Sequence, residues 1–271
     1  MVVLPYPRIP PVIISVGPLA IRWYGLMYVV AYFVGYRLAL ARIRRGSSVL
    51  TEQQLDTLIG YLVVGMLIGA RLTYVFVYDF PTYQAHPLQV FAIWKGGLSF
   101  HGAIIGMAAA CALFARRYRI AFLGVTDVVA LAGAPGLFFG RLGNFINGEL
   151  YGRPSSVPWA MIFPTDPLHV PRHPSQLYEA VTEGVLLSLV LLLVDRRAHS
   201  GGWYRSGLLT GVFLVGYAVA RFLLEFTRQP DAQLGLVIGI FSMGQILSAL
   251  MLVAGLLLLA ARLRIDAAAE S

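Results

Sequence analysis

An all-α polytopic membrane protein of seven transmembrane helices is the fold class this sequence predicts, and three observations carry it. Charged residues make up 13% of the chain against 58% hydrophobic, with a mean hydropathy of +0.73; a soluble domain carries about 25% charge. Seven stretches reach the roughly 20 mostly apolar residues that a spanning helix requires. The linkers between them alternate between arginine-rich and arginine-poor, as in a chain threaded back and forth through a bilayer.

Residues 1–271 therefore read as one integral membrane domain, with spans expected at about 18–40, 55–78, 97–115, 124–146, 175–194, 206–226 and 236–261. Span one opens on "IRWYGLMY" (Arg22, Tyr24, Tyr28) and ends at "ARIRRGSS". Span two carries Arg71 in "LIGARLTYVF" and gives way to "YDFPTYQAHPLQ". Span three opens on "WKGGLSFHGAIIG", with Ser99 and His101 at its start, and ends at "ARRYRIA". Span four runs to "GRLGNFINGELYGRP", and residues 147–174 form an insert before span five. Span five opens on "RHPSQLYEA" (Gln176, Tyr178, Glu179) and ends at "DRRAHSGG". Span six ends in "GYAVARFLLEFTRQP", and span seven reaches "ARLRID".

The four arginine-rich linkers belong in the cytoplasm by the positive-inside rule. The N-terminus is then outside, the C-terminus inside, and the 147–174 insert on the outer face. Gly-xxx-Gly recurs at Gly65/Gly69, Gly102/Gly106, Gly136/Gly140, Gly207/Gly211 and Gly235/Gly239. Small residues four apart let helices approach closely, so these are expected to be packing sites.

Composition also excludes several classes. The net charge of +8 would suit a nucleic-acid binder, but the arginines sit in short loops and lysine occurs once, at Lys95, so no basic tail can track phosphates. A single cysteine, Cys111, excludes an intrachain disulfide and a cysteine-rich metal site; deep in an apolar span it is expected to behave as a small hydrophobe. No His/Asp/Glu cluster has metal-ligand spacing, no nucleotide loop follows a strand, and no cofactor or metal is expected. The proline-rich start lacks the features of a cleavable signal peptide. No inverted repeat of the transporter kind is visible.

The polar residues of the spans gather at one membrane depth. Arg141, Asn144 and Asn147 follow one another at i, i+3 and i+6 near one helix face, with Glu149 and Arg153 just beyond. Arg221 and Glu225 share a face at i, i+4. A helix end snorkelling into headgroups accounts for one arginine, and a lone histidine at a helix start is usually structural. Neither accounts for arginines, carboxylates and a histidine together on the arginine-poor side. Such residues are costly in a membrane and mark function. Arginine's planar fork suits phosphate, so the convergence reads as a site for an anionic headgroup.

The blocks "GRLGNFINGELYGRP", "GGLSFHG", "RHPSQLYE", "RFLLEFTRQPDAQ" and "SMGQILS", in that order, closely resemble those of the bacterial prolipoprotein diacylglyceryl transferase family. The resemblance spans nearly the whole chain. It implies transfer of a diacylglyceryl group from phosphatidylglycerol to the lipobox cysteine in a prolipoprotein signal peptide, with release of glycerol 1-phosphate, by a monomer. Residues carried over are Tyr24, His101, Arg141, Asn144, Glu149, Gly152, Arg221 and Glu225. Of these, His101, Arg141, Arg221, Glu149 and Tyr24 are expected to be catalytic. Arg141, Asn144, Arg221, Glu225 and Gly152, with the adjacent Asn147, are expected to hold the lipid. The reaction needs a base for the thiol and cations for the departing phosphate. His101 can serve as the first and Arg141 and Arg221 as the second, although the motif itself does not assign the base.

Two other readings use the same residues. A transporter or channel for an anion also lines its path with arginines, but would need polar groups through "VVGML", "MAAACALF" and "LLSLVLLLV", which have almost none. An intramembrane serine hydrolase would need more than Ser99 near His101, and no Gly-x-Ser-x-Gly is present.

Overall fold

The computed structural model describes residues 4–7, 9–17, 19–229, 236–238 and 241–269. In chain order the elements are β1 (Val12–Val16), β2 (Leu19–Arg22), α1 (Trp23–Arg44), α2 (Glu52–Thr73), α3 (Phe80–Ala85), α4 (Phe100–Tyr118), α5 (Phe122–Asn147), α6 (Ser175–Glu179), α7 (Leu187–Ser200), α8 (Leu208–Leu224), β3 (Leu236–Ile238), β4 (Phe241–Ser242) and α9 (Met243–Ala269). Wider π-type turns prolong α2 over Tyr74–Tyr78 and join α6 to α7 over Ala180–Leu186.

Among the described residues, five helical stretches are long and apolar enough to cross a membrane: Trp23–Arg44, Glu52–Tyr78, Phe122–Asn147, Ser175–Ser200 and Met243–Arg262. The expected spans at 97–115 and 206–226 correspond to α4, of 19 residues with Arg116 and Arg117 in its last turn, and to α8, a shorter apolar helix of 17. At 1.5 Å per residue α8 is roughly 25 Å long, less than the ~30 Å hydrocarbon core. Phe33, Val64 and Leu257 stand exposed on the long helices, as they must where a helix meets lipid.

Span one starts at Trp23 and not at 18, because the preceding residues form an antiparallel hairpin of β1 on β2. Val12, Ile13 and Ile14 favour extended backbone, and Gly17 supplies a turn at φ 59°. The expected start of span seven is likewise spent on β3 and β4, with α9 beginning at Met243.

The chain forms two compact units, Met1–Ala39 with Asp127–Ser271, and Leu40–Thr126. In the second, α2 and α4 pack backbone to backbone: a Cβ on Gly69 would lie 2.7 Å from Gly106 Cα, and one on Gly106 would lie 2.9 Å from Gly69 Cα. Two of the Gly-xxx-Gly pairs thus meet each other. The others differ: Gly140 faces open space, Gly207 precedes α8 at φ 102°, and Gly235/Gly239 lies outside the described residues. Thr51 and Gln54 close a reciprocal capping box on α2.

In the first unit, Leu131 and Ala134 of α5, Leu187 and Leu191 of α7 and Leu209 of α8 form a buried core. Gly184 lies on the Phe138 backbone, where a Cβ would come 2.6 Å from Phe138 Cα, so α5 runs directly against the α6–α7 stretch. Asp127, fully buried, takes four hydrogen bonds: from Tyr204 Oη (2.6 Å), Gly207 N (2.8 Å), Thr210 N (2.7 Å) and Thr210 Oγ1 (2.6 Å). It thereby accepts from the amide of Gly207, which caps α8, and from that of Thr210 in its first turn.

Candidate active site

The close approach at Gly184 has an electrostatic consequence one turn away. Arg141 follows Phe138 on α5, while Glu179 and Glu183 flank that contact on α6 and the π-type turn. Arg141 Nε lies 2.7 Å from Glu179 Oε2, and its Nη2 lies 3.7 Å from Glu183 Oε2. Both glutamates are fully buried. Arg228, just beyond α8, donates from Nη1 to Glu179 Oε1 at 3.1 Å. Arg221 Nη1 is 3.9 Å from that same oxygen and 2.6 Å from Glu225 Oε2. Three arginines therefore converge on the single carboxylate of Glu179.

Glu225 is fixed on its other side. Ser242 Oγ donates to its Oε1 at 2.8 Å, and Gly244 leaves room for the carboxyl, since a Cβ there would come 2.9 Å from Oε1. Ser242 and Gln245 form a reciprocal capping box at the start of α9 (3.1 and 3.3 Å). The "SMGQ" segment thus starts a helix and orients a site carboxylate together.

The end of α5 makes a second polar group. Asn144 Nδ2 and Asn147 Nδ2 both donate to Glu149 Oε1, at 2.9 and 3.2 Å. The chain reverses through Gly148 (φ 69°) and Leu150 (φ 58°). Gln176 Nε2 donates to the Glu149 carbonyl (2.7 Å) and Ser175 Oγ to that of Leu150 (3.0 Å), so the start of α6 holds the turn. Tyr24 lies against Gly143, where a Cβ would come 2.7 Å from its ring, and its hydroxyl meets that of Tyr28 at 3.0 Å.

Gly152 serves packing. Its amide donates to His173 O (2.9 Å), and a Cβ there would run into the Thr227 carbonyl and His173. Arg153 N donates to Thr227 O and its Nε to Arg228 O, both at 2.9 Å. The segment thereby fixes the backbone that carries Arg228. Farther along, Arg172 grips Asp166 with two parallel bonds (2.6 and 3.0 Å) and sits 4.8 Å from the centre of the Tyr151 ring. The Arg172 bonds, with amides of Leu168 and Val170, hold the Asp166 carboxyl below the usual carboxylate range. Burial and the neighbouring Asp166 charge push the Tyr151 hydroxyl up.

His101 belongs to the other unit and is exposed in the first turn of α4, edge-on to the Phe100 ring. Ser99 caps that turn, accepting from Gly102 N at 3.2 Å. Arg71, the arginine within span two, is committed to backbone: it donates to the carbonyls of Gln89 (2.5 Å), Val90 (2.8 Å), Gly96 (2.7 Å) and Gly97 (2.9 Å). A buried guanidinium with every face engaged is a loop clamp. It shapes the turn, with Gly96 and Gly97 at φ 85° and 75°, that delivers Ser99 and His101.

Of the residues singled out in the sequence, Arg141, Arg221 and Glu225 meet in the charge cluster, and Asn144, Asn147 and Glu149 meet in the turn beside it. Glu183 and Arg228 escaped notice, and Glu179 was seen only as a polar helix start. Glu183 had a signal: an acid in the apolar run "AVTEGVLL", four residues after Glu179.

A helical membrane protein with arginines and glutamates interlocked at the ends of its long helices is the class that fold and site define. The family model described as prolipoprotein diacylglyceryl transferase matches residues 11–261, and the chain belongs to that family. Proteins named phosphatidylglycerol–prolipoprotein diacylglyceryl transferase resemble it along nearly their whole length. The one from Bordetella parapertussis is 47% identical over 253 residues, 93% of this chain and 95% of its own. The one from Azospirillum brasilense is 43% identical over 269 residues, 99% and 100%. The one from Vibrio vulnificus is 46% identical over 258 residues, 95% and 93%.

Proposed function

We propose that this chain transfers the sn-1,2-diacylglyceryl group of phosphatidylglycerol to the lipobox cysteine of a prolipoprotein, the first step of lipoprotein maturation. The cysteine sulfur bonds to the glyceryl carbon that carried the phosphate. The C–O bond to that phosphate breaks, a thioether forms, and glycerol 1-phosphate leaves with the bond's electron pair.

The observation that supports this is the convergence of Arg141, Arg221 and Arg228 on Glu179. A phosphodiester carries one negative charge, and its departure as a phosphomonoester adds a second. Cations already in place for that second charge lower the barrier without rearranging during the step. Arg141 and Arg221 hold the phosphate. Asn144, Asn147 and Glu149 hold the glycerol hydroxyls, and Gly152 keeps the adjoining segment close. Tyr24 lies beside this group on α1, and His101 removes the thiol proton. The nucleophile comes from the substrate, which agrees with the burial of Cys111.

In this reading the enzyme is a seven-span monomer of the bacterial inner membrane, its N-terminus and 147–174 insert outside, its C-terminus in the cytoplasm. The test is transfer from phosphatidylglycerol to a lipobox peptide in detergent. Purified wild type should transfer, and His101→Gln should lose about 10²–10⁴-fold. Its deficit should narrow as rising pH ionises the peptide thiol, whose pKa is near 8.5. A deficit equal at every pH removes His101 as base.

A further inference from the structure

Glu183 has no part in the reaction just described, yet it is among the most deeply buried carboxylates of the protein. Among the described residues, neither of its oxygens has a hydrogen-bond partner, and its ion-pair contact is with Arg141 Nη2 at 3.7 Å. The groups facing it are Arg141 from α5, Glu179 one turn earlier, Arg221 and Tyr217 from α8, and Arg228 beyond α8. Glu225, at the end of α8, completes the cluster through Arg221.

These carboxylates are held unequally. Glu179 has Arg141 at 2.7 Å and Arg228 at 3.1 Å. Glu225 has Arg221 at 2.6 Å and the Ser242 hydroxyl at 2.8 Å. Glu183 shares an arginine that already belongs to Glu179. With Arg141, Arg221 and Arg228 set against Glu179, Glu183 and Glu225, the cluster is neutral when all six groups are charged. An arriving phosphodiester leaves it one negative charge in excess, beside the fully buried Glu179 and Glu183. Buried charge without a partner is neutralised in preference to being kept. The carboxylate to give way is the one whose partner the phosphate takes.

We propose that Glu183 couples lipid binding to proton uptake: as the phosphodiester docks on Arg141, Glu183 takes one proton from solvent, and returns it when the anion leaves. The inference rests on the proposed function and deepens it, because it makes affinity for the anionic lipid depend on pH through a residue that need not touch the lipid. Glu183 is then a positioning residue that acts through Arg141. Its place on the π-type turn Ala180–Leu186 fits that role, since such turns widen a helix locally and frequently mark functional sites.

Linkage fixes the sign. A group that gains a proton on binding makes binding tighter at low pH and weaker as pH rises, by up to tenfold per pH unit. Purified protein in neutral detergent, titrated with phosphatidylglycerol in weakly buffered solution carrying a pH dye, should take up as much as one proton per lipid bound. Its KM for the lipid should rise with pH, by no more than tenfold per unit. Glu183→Gln, neutral at every pH, should bind lipid with almost no proton uptake and a flat KM. Proton uptake by Glu183→Gln equal to that of wild type, or binding by wild type without uptake, overturns the inference alone. Wild type that binds no phosphatidylglycerol overturns the proposed function, and the inference falls with it. A measurement on wild type needs no variant to fold: infrared difference spectra should show a new protonated-carboxyl band on adding phosphatidylglycerol and none on adding diacylglycerol, which lacks the phosphate. The same band with both lipids, or with neither, overturns the coupling.

Discussion

Arg71 and Arg141 both sit near the end of a long apolar helix, and they are held in opposite ways. Arg71 spends its guanidinium on backbone carbonyls at fixed positions of one loop. Arg141 spends its own on two carboxylates that themselves carry charge, and 18% of its side chain stays exposed. A carbonyl in a loop cannot be exchanged without unmaking the loop, whereas one anionic partner can be exchanged for another, a phosphate for a carboxylate. The same residue type at the same kind of position is a backbone clamp in one unit and an ion-pair partner in the other. The partner decides which.

That contrast can be broken at its hub. Glu179→Gln removes the carboxylate on which three arginines converge and leaves buried positive charge unbalanced. The expected loss is about 3–5 kcal/mol of stability, read as a lower thermal midpoint in detergent. An unchanged midpoint would mean the cluster is solvated, and the contrast with Arg71 would collapse.

Next come the two arginines themselves. Arg141→Lys keeps the charge and loses the fork, so lipid transfer should fall by roughly 10²–10³ with the thermal midpoint little changed. Arg71→Lys should cost about 1.5–3 kcal/mol of stability, with a kinetic loss smaller than that of Arg141→Lys and arising only through the turn that carries His101. Equal kinetic losses in both would erase the distinction.

A smaller effect is expected at Gly152, where alanine must push aside the Thr227 carbonyl and His173. Overpacking of this kind costs about 1–3 kcal/mol. Because Arg153 and Thr227 tie that segment to Arg228, activity should fall further than the folded fraction does. The smallest effect concerns Asp166. Arg172 holds its carboxyl below the usual range, so this pair contributes stability above the unfolded carboxylate value near 3.9 and loses it as pH falls through the lower, folded one. Wild type should therefore melt at lower temperature as the medium is acidified below about pH 4. Asp166→Asn should melt lower at neutral pH and show a shallower acid limb.

Much of the fold was legible because bilayers impose coarse rules. Apolar length located α1, α2, α5, the α6–α7 stretch and α9 to within a few residues, apart from the hairpins before Trp23 and Met243. Gly65/Gly69 and Gly102/Gly106 were legible as packing motifs, but which pairs would meet was not, since Gly140 carries the same spacing and faces open space. At the site, Arg141, Arg221 and Glu225 stood out as charge in apolar runs. Arg71 stood out for the same reason and has a different role, because its partners are carbonyls of residues 89–97, whose loop path no periodicity encodes. Asp127 was invisible: in sequence it is one acid near a helix start, and its partners lie some 80 residues on.

That last residue gives the molecule a history as well as a shape. The cap amide of Gly207 and the Thr210 amide in α8's first turn find their acceptor on Asp127, near the start of α5. In lipid an amide without an acceptor costs several kcal/mol. As the chain leaves the ribosome, α5 is therefore already made when α8 appears, and the later helix docks onto a prepared anchor. The C-terminal third of the chain cannot settle independently, and a Ser242 hydroxyl waiting on Glu225 comes later still. Along the chain, the partners of the charge cluster thus run from Arg141 on α5 to Ser242 at the start of α9.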